Sequence, residues 1–83
     1  MSKLLICLYV PSIQENFDLF APDDLPVKEL SKLLAQGAKE LSLGRYRISG
    51  DEILCRCVPE MPLDGNHTLS DYGVRNGDKF VLF

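Results

Sequence analysis

The sequence predicts an α+β domain in which a mixed sheet of four or five strands packs on one main helix. Two observations lead to this prediction. Apolar residues follow a strand period towards both ends of the chain and a helix period over residues 26–41. Clusters of proline, glycine and aspartate separate these segments and give the order β-β-α-β-β-β. A chain of 83 residues is enough for one core, so we expect a single domain over residues 1–83.

The first two strands are predicted to form a hairpin. Residues 3–10 are nearly all apolar, and a proline follows them directly. After a short connection, the chain returns over residues 17–21 as the second strand. Because side chains alternate along a strand, Asp18 points to solvent when Phe17 and Leu19 point to the core.

The main helix is predicted over residues 26–41. Asp23 and Asp24 precede it, where they favour a helix N-terminus and can cap free N–H groups, and Pro26 suits the first turn. The i+3 and i+4 spacing predicts a buried stripe of Val27, Leu30, Leu34, Gly37 and Leu41, with Leu33 and Ala38 at its flanks. A glycine within a helix costs about 1 kcal/mol relative to alanine, so Gly37 either allows a close approach to the sheet or marks an early end of the helix.

The second half of the chain is predicted to contain three more strands. Residues 42–52 show no clear period and are either a loop with a helical turn or a short extra strand. Strands are predicted over residues 53–58, 60–63 and 79–83. Turns are expected at residues 64–67 and 76–77.

Three cysteines, Cys7, Cys55 and Cys57, do not match a metal or redox motif. The last two form C-x-C rather than the C-x-x-C that is typical of zinc and redox sites. An odd number of cysteines without a secretion signal indicates the reducing cytoplasm. We interpret all three as small apolar residues of the core.

No catalytic or ligand-binding set of residues is predicted. His67 is the only histidine, and it falls in a predicted turn where Ser70 and Asp71 suit turn-capping side chains. The acidic pairs at residues 23–24 and 51–52 lack the ligand spacing of a calcium site. We therefore expect no enzymatic activity, no catalytic residues, no metal and no cofactor.

Charge and hydropathy exclude two further classes of partner. The net charge is −3, and acidic and basic residues are interspersed, whereas nucleic-acid-binding proteins cluster lysine and arginine. No stretch approaches the ~18 apolar residues that cross a bilayer. We expect neither nucleic-acid binding nor direct membrane insertion.

The most specific signal lies in residues 68–83. Thr68-Leu69-Ser70-Asp71-Tyr72, followed by Asn76-Gly77-Asp78 and an apolar strand, resembles the segment before the last strand of ubiquitin and its relatives. The predicted order of elements is also that of the β-grasp fold. The resemblance implies a ubiquitin-like β-grasp domain in which Leu69 and Tyr72 plug one end of the core.

Within this class, the chain is similar to the small YukD/EsaB-like proteins that accompany type VII (Esx) secretion systems of Gram-positive bacteria. The shared features are Leu25-Pro26-Val27 at the start of the helix, the Leu-Ser-Asp-Tyr turn, and Asn-Gly-Asp before the final strand. The resemblance implies a bacterial, cytoplasmic accessory or regulatory protein without enzymatic activity. Its partners would then be proteins of the secretion machine.

Two alternative functions stay open. β-Grasp sulfur carriers and protein modifiers use a C-terminal Gly-Gly tail, whereas this sequence reads Val81-Leu82-Phe83 at its end; we therefore expect no activation of its terminal carboxylate. The other alternative is a generic ubiquitin-like adaptor that is unrelated to secretion.

The charged strand residues predict where a protein partner binds. If Lys3, Asp18, Arg56 and Lys79 point to solvent, then Ile53, Cys55 and Cys57 point to the core, and an apolar surface is left on the sheet face opposite the helix. The predicted protein-binding residues on this outer sheet face are Leu5, Tyr9, Leu54, Arg56, Val81 and Phe83. The same face could support a weak homo-oligomer.

Overall fold

A computed structural model describes residues 3–83 of the chain. The elements are β1 (Lys3–Val10), β2 (Glu15–Pro22), α1 (Val27–Leu41), β3 (Leu54–Cys57), β4 (Glu60–Pro62), a 3₁₀ turn (Ser70–Tyr72) and β5 (Lys79–Leu82). This is the predicted order β-β-α-β-β-β. Residues 42–52 contain turns but neither a strand nor a helix, so the loop interpretation of this segment is confirmed.

The five strands form one mixed sheet in the order β2-β1-β5-β3-β4. The central strands β1 and β5 are parallel, with Leu8 opposite Phe80, and the other neighbouring pairs are antiparallel. Helix α1 covers one face of the sheet, which we call the inner face. Within residues 3–83, no helix is long and apolar enough to cross a membrane.

The core lies between α1 and the inner face. Its largest fully buried side chains come from β1, α1, β3, β5 and the residue before the 3₁₀ turn, and are Ile6, Leu8, Val10, Leu30, Leu54, Leu69, Phe80 and Leu82. Burying one such side chain contributes about 1.5–3 kcal/mol to folding. A small domain has only about 5–15 kcal/mol of net stability, so each of these residues matters.

The buried stripe of α1 is rotated relative to the predicted one. Val27, Leu30 and Leu34 are buried as expected, and Ala38 lies within the stripe rather than at its flank. Leu41 is more than half exposed, so its placement in the core was wrong. The small residues Ser31 and Ala35 are buried instead. The Ser31 hydroxyl has a hydrogen-bond partner there, since it donates to the Val27 carbonyl at 2.9 Å.

Backbone carbonyls of a later turn cap the start of α1. Pro26 is the N-cap residue and makes no side-chain cap, so the helix begins one residue later than predicted. The N–H of Val27 donates to the His67 carbonyl at 2.8 Å, and the N–H of Lys28 donates to the Gly65 carbonyl at 3.1 Å. The turn before the 3₁₀ segment therefore satisfies two N–H groups that a helix terminus leaves free.

The Thr-Leu-Ser-Asp-Tyr segment forms the plug that the resemblance implied. Leu69 is fully buried, and Tyr72 packs partly buried against the core. The Asp71 carboxylate accepts from the Thr68 N–H at 2.9 Å, and the Thr68 hydroxyl accepts from the Asp71 N–H at 3.1 Å. The predicted capping role of Asp71 is thus confirmed.

Candidate protein-binding face of the sheet

The outer sheet face, opposite α1, is built by the alternation of residues along the strands. The register of the sheet brings one residue from each strand into a row across this face. This row, which we call the central row, consists of Asn16, Tyr9, Val81, Cys55 and Pro62. Four of its five members are apolar or weakly polar, and cross-strand neighbours of this kind form a continuous surface.

Charged residues border the central row on one side. On β2 and β5, Asp18 and Lys79 both lie opposite Cys7 of β1. On the other half of the sheet, Glu60 lies opposite Cys57. Both signs of charge are present, so this border can fix the orientation of a partner through complementary charges.

Phe83 and Ile53 border the central row on the other side. Backbone hydrogen bonds join Phe83 and Ile53 in both directions, at 2.9 and 3.1 Å, and thereby extend the β3–β5 ladder past the strand ends. Phe83 is 62% exposed. A groove of about 370 Å³ crosses the central row and is lined by Phe83, Val81, Cys55 and Pro62, and also by Cys57 and Glu60 at the charged border.

The structure places two of the predicted binding residues elsewhere. Leu54 is only 1% exposed and lies opposite Leu82 in the core, so its placement on the outer face was wrong. Arg56 lies opposite Phe80, also on the inner side. As a consequence Ile53, Cys55 and Cys57, which were predicted to face the core, point outwards.

Arg56 can occupy an inner position because its head group lies at the end of the sheet. Its Nη1 donates to the Tyr72 carbonyl at 2.9 Å, and its Nη2 lies 3.5 Å from Asp78 Oδ2. A long side chain can thus cover the core with its aliphatic stem while its charge is paired. The sequence analysis assumed that the charged Arg56 points to solvent, and this was wrong. Because side chains alternate along a strand, the same error reversed the predicted faces of all residues in β3.

The other four predicted residues, Leu5, Tyr9, Val81 and Phe83, do lie on the outer face. Their role in binding stays a prediction. The sequence interpretation missed Phe20, which pairs with Leu5 and is 69% exposed. Because residues two apart on a strand share a face, the outward position predicted for Asp18 could have placed Phe20 on the outer face as well.

The three cysteines Cys7, Cys55 and Cys57 lie on the outer face. All three are free and half-buried. Burial, with smaller contributions from Cys57 and Glu60, raises the pKa of Cys55 and so disfavours its thiolate. Among residues 3–83, no three histidine, cysteine or acidic side chains are grouped as metal ligands.

Solved structures share the fold of this chain. The ubiquitin of Caldiarchaeum subterraneum superposes with a TM-score of 0.73 at 20% identity, over 98% of this chain and 91% of that chain. The ubiquitin-like domain of the Mycobacterium tuberculosis type VII secretion system protein ECCD1 gives a TM-score of 0.66 at 18% identity, over 99% and 98%. A chain in protomer 1 of the ESX-3 core complex gives 0.71 at 17%, over 99% of this chain but 16% of that chain. These likenesses establish a ubiquitin-like fold.

The family is established by sequence. None of the curated proteins matches the chain. The sequence model described as "WXG100 protein secretion system (Wss), protein YukD" matches residues 10–82, which include α1, the Leu-Ser-Asp-Tyr turn and β5. The chain therefore belongs to the YukD family of the WXG100 protein secretion system.

Proposed function

We propose that this protein is a non-enzymatic, cytoplasmic accessory component of a bacterial type VII secretion system, and that it acts by binding a protein of the secretion machine through its outer sheet face. The observation that carries this proposal is an uncovered apolar sheet face in a member of the YukD family. The helix covers only the inner face, and exposed contiguous apolar surface on a small protein is typical of an interaction site.

The outer face has the layout of a protein interface. Its centre is apolar, its border carries Asp18, Lys79 and Glu60, and Phe83 stands exposed beside a groove. Aromatic residues near the centre of an interface supply much of its binding free energy, and polar borders supply orientation. A flat apolar partner surface with complementary border charges would fit this arrangement.

The identity of the partner is inferred from the ubiquitin-like domains of secretion proteins. The ECCD1 domain is part of a type VII secretion protein, and the ESX-3 chain contains a region that resembles nearly the whole of this chain. We infer that a protein of the secretion machine contacts the outer face here. A generic ubiquitin-like adaptor would use the same face for a partner unrelated to secretion.

Complementation of a deletion strain tests the proposal. The strain would be complemented with the wild-type gene, with Val81→Asp, or with Leu43→Asp, and export of WXG100 proteins would be measured. Val81→Asp places a charge in the central row, and its side chain does not face α1, so we expect a folded protein that fails to restore export. Leu43→Asp is the matched control, because Leu43 is an exposed leucine outside the sheet.

The possible outcomes test the secretion role and the binding role of the outer sheet face separately. If deletion leaves WXG100 export unchanged, the secretion function is wrong. If deletion abolishes export but Val81→Asp restores it at normal protein levels, the function stands and the binding surface lies elsewhere. A photo-crosslinking amino acid at position 81, with position 43 as control, should capture a protein of the secretion machine.

A further inference from the structure

We propose a second binding site, at the open edge of β2. There an extended segment of a partner protein adds to the sheet as a further strand. Aliphatic side chains of the segment occupy the groove between β2 and α1, and a lysine or arginine of the segment faces Asp18. This site shares Asn16 and Asp18 of β2 with the outer sheet face, but its groove lies on the helix side of the sheet, and the proposal does not depend on the secretion role.

The hydrogen-bonding pattern of β1 shows which groups of β2 are free for such a strand. The N–H of Cys7 donates to the Asp78 carbonyl, and the Leu5 carbonyl accepts from the Gly77 N–H, so the odd-numbered residues of β1 face β5. The even-numbered residues of β1 therefore bond to β2, where their register partners are residues 15, 17, 19 and 21.

The remaining β2 residues turn their backbone groups outwards. Asn16, Asp18 and Phe20 direct their N–H and C=O groups to the open edge, because β2 is the first strand in the sheet order. An eight-residue edge strand with outward N–H and C=O groups is a template for strand addition. Asn16, Asp18 and Phe20 together offer three N–H and three C=O groups to an incoming segment.

An apolar groove lies beside this edge. It has a volume of about 270 Å³ between β2 and α1, and Leu19, Leu33 and Gly37 are among the residues that line it. Leu33 is 53% exposed, although it is a leucine on a helix that packs on the sheet. The inward-pointing side chains of an added strand would lie next to Leu19 and would cover Leu33.

Gly37 keeps this groove open, and the fold itself does not require a glycine there. Helix α1 continues to Leu41, so Gly37 does not mark an early end of the helix. A Cβ atom at this position would lie 3.7 Å from Leu19 Cδ1, which is an ordinary van der Waals contact. The sheet therefore tolerates alanine, and neither explanation offered by the sequence accounts for the glycine. The absence of a side chain benefits an occupant of the groove.

The charges around the edge define the occupant. Asp18 is the middle one of the three edge-facing residues and is exposed. Glu29 and Glu40 are exposed on the flank of α1 that carries Leu33, since they lie four residues before and seven residues after it. Lys3 is the one basic residue that lines the groove. A second copy of this chain, paired antiparallel about Asp18, would oppose two carboxylates, which disfavours it. A basic and aliphatic segment complements the site.

Titration of the isotope-labelled protein with a short, end-blocked peptide of alternating valine and lysine tests this proposal. We expect amide chemical-shift changes that are concentrated at Asn16, Asp18, Phe20 and Gly37. A peptide of alternating valine and glutamate, and a valine–lysine peptide that is N-methylated at alternate residues, should both bind at least about tenfold more weakly. Shift changes confined to the outer face at Tyr9 and Val81, or equal binding of the N-methylated peptide, would overturn the proposal, as would the absence of shifts at millimolar peptide.

Two variants locate the site. Gly37→Leu fills the groove and should weaken binding of the valine–lysine peptide at least about tenfold. Gln36→Leu adds the same side chain to the neighbouring exposed position of α1 and should leave binding unchanged. If Gly37→Leu does not fold, Asp18→Lys decides instead. This variant should shift the preference from the lysine peptide to the glutamate peptide, and an unchanged preference would contradict the assigned site.

Discussion

The hydroxyl of Tyr46 donates a hydrogen bond to Glu52 Oε2 at 2.8 Å, and this contact organises the irregular segment between α1 and β3. The same carboxylate accepts from the N–H of Ser49 at 2.7 Å and from the N–H of Gly50 at 3.1 Å. The Tyr46 ring is part of the core. One carboxylate thus ties a loop without regular structure to the hydrophobic core.

Acid should therefore destabilise the protein through Glu52. Burial alone would raise the pKa of Glu52, but hydrogen bonds from Ser49 and Tyr46 outweigh it and hold the pKa below the ordinary value of 4.5. A depressed pKa in the folded state gives stability that is present above the unfolded-state pKa and is lost as the pH falls through the folded-state pKa. We expect the free energy of unfolding, measured by urea titration, to fall as the pH decreases below about 4.5.

The variant Glu52→Gln isolates this contribution. It should be less stable than the wild type near neutral pH and should lose less stability in acid. Glu60→Gln is the control, because Glu60 is an exposed glutamate at the far edge of the sheet. An acid dependence of Glu52→Gln equal to that of the wild type would show that other carboxylates dominate.

The plug and the helix stripe should each be essential for stability. Leu69 and Leu30 are fully buried, and truncating such a leucine to alanine costs about 2–5 kcal/mol. We expect Leu69→Ala and Leu30→Ala to lower the melting temperature strongly, while Leu33→Ala on the exposed flank of α1 changes it little. A shift of only a degree or two for either core variant would contradict its assigned place.

The register of β3 can be tested with neighbouring residues. Leu54 is buried against the helix side, whereas Ile53 is 54% exposed on the outer side. Leu54→Ala should therefore cost about 2–5 kcal/mol, and Ile53→Ala should cost much less. Urea denaturation of the two variants measures the difference, and the reverse order would restore the original assignment of this strand.

Gly37→Ala should make the protein more stable. Alanine is favoured over glycine within a helix by about 1 kcal/mol, and the added methyl group would meet Leu19 at an ordinary contact distance. We expect a higher urea midpoint with an unchanged dependence on urea concentration. A lower midpoint would mean that the helix has to approach the sheet more closely than the structure indicates.

The elements of the fold could be predicted because their local patterns agree with the tertiary structure. β1 and β2 were predicted within two residues of their observed ends, since the hairpin connection is marked by Pro11. The 3₁₀ turn and β5 were predicted from a distinctive run of residues. These signals are local, because turn-forming residues determine the backbone conformation and the spacing of apolar residues indicates which side chains are buried.

The predictions that were wrong concern residues whose positions depend on contacts between distant parts of the sequence. Arg56 was assigned to solvent because of its charge, but Asp78 and the Tyr72 carbonyl are its partners in the folded chain. Leu41 belongs to the predicted helical stripe, yet the small residues Ser31 and Ala35 turn another side of α1 to the sheet. Tyr46 lies in a segment without any period, and only the fold brings it into the core.

The parallel pairing of β1 with β5 has a consequence for how the protein folds. The two central strands lie at opposite ends of the described chain, so the sheet cannot be completed until nearly all of that chain has left the ribosome. A hairpin of β1 and β2 alone is marginal in water, and contacts of such high sequence separation slow folding. We therefore expect a single cooperative transition, without a stable half-folded form, and an N-terminal fragment that ends before β5 should be a ready target for proteases.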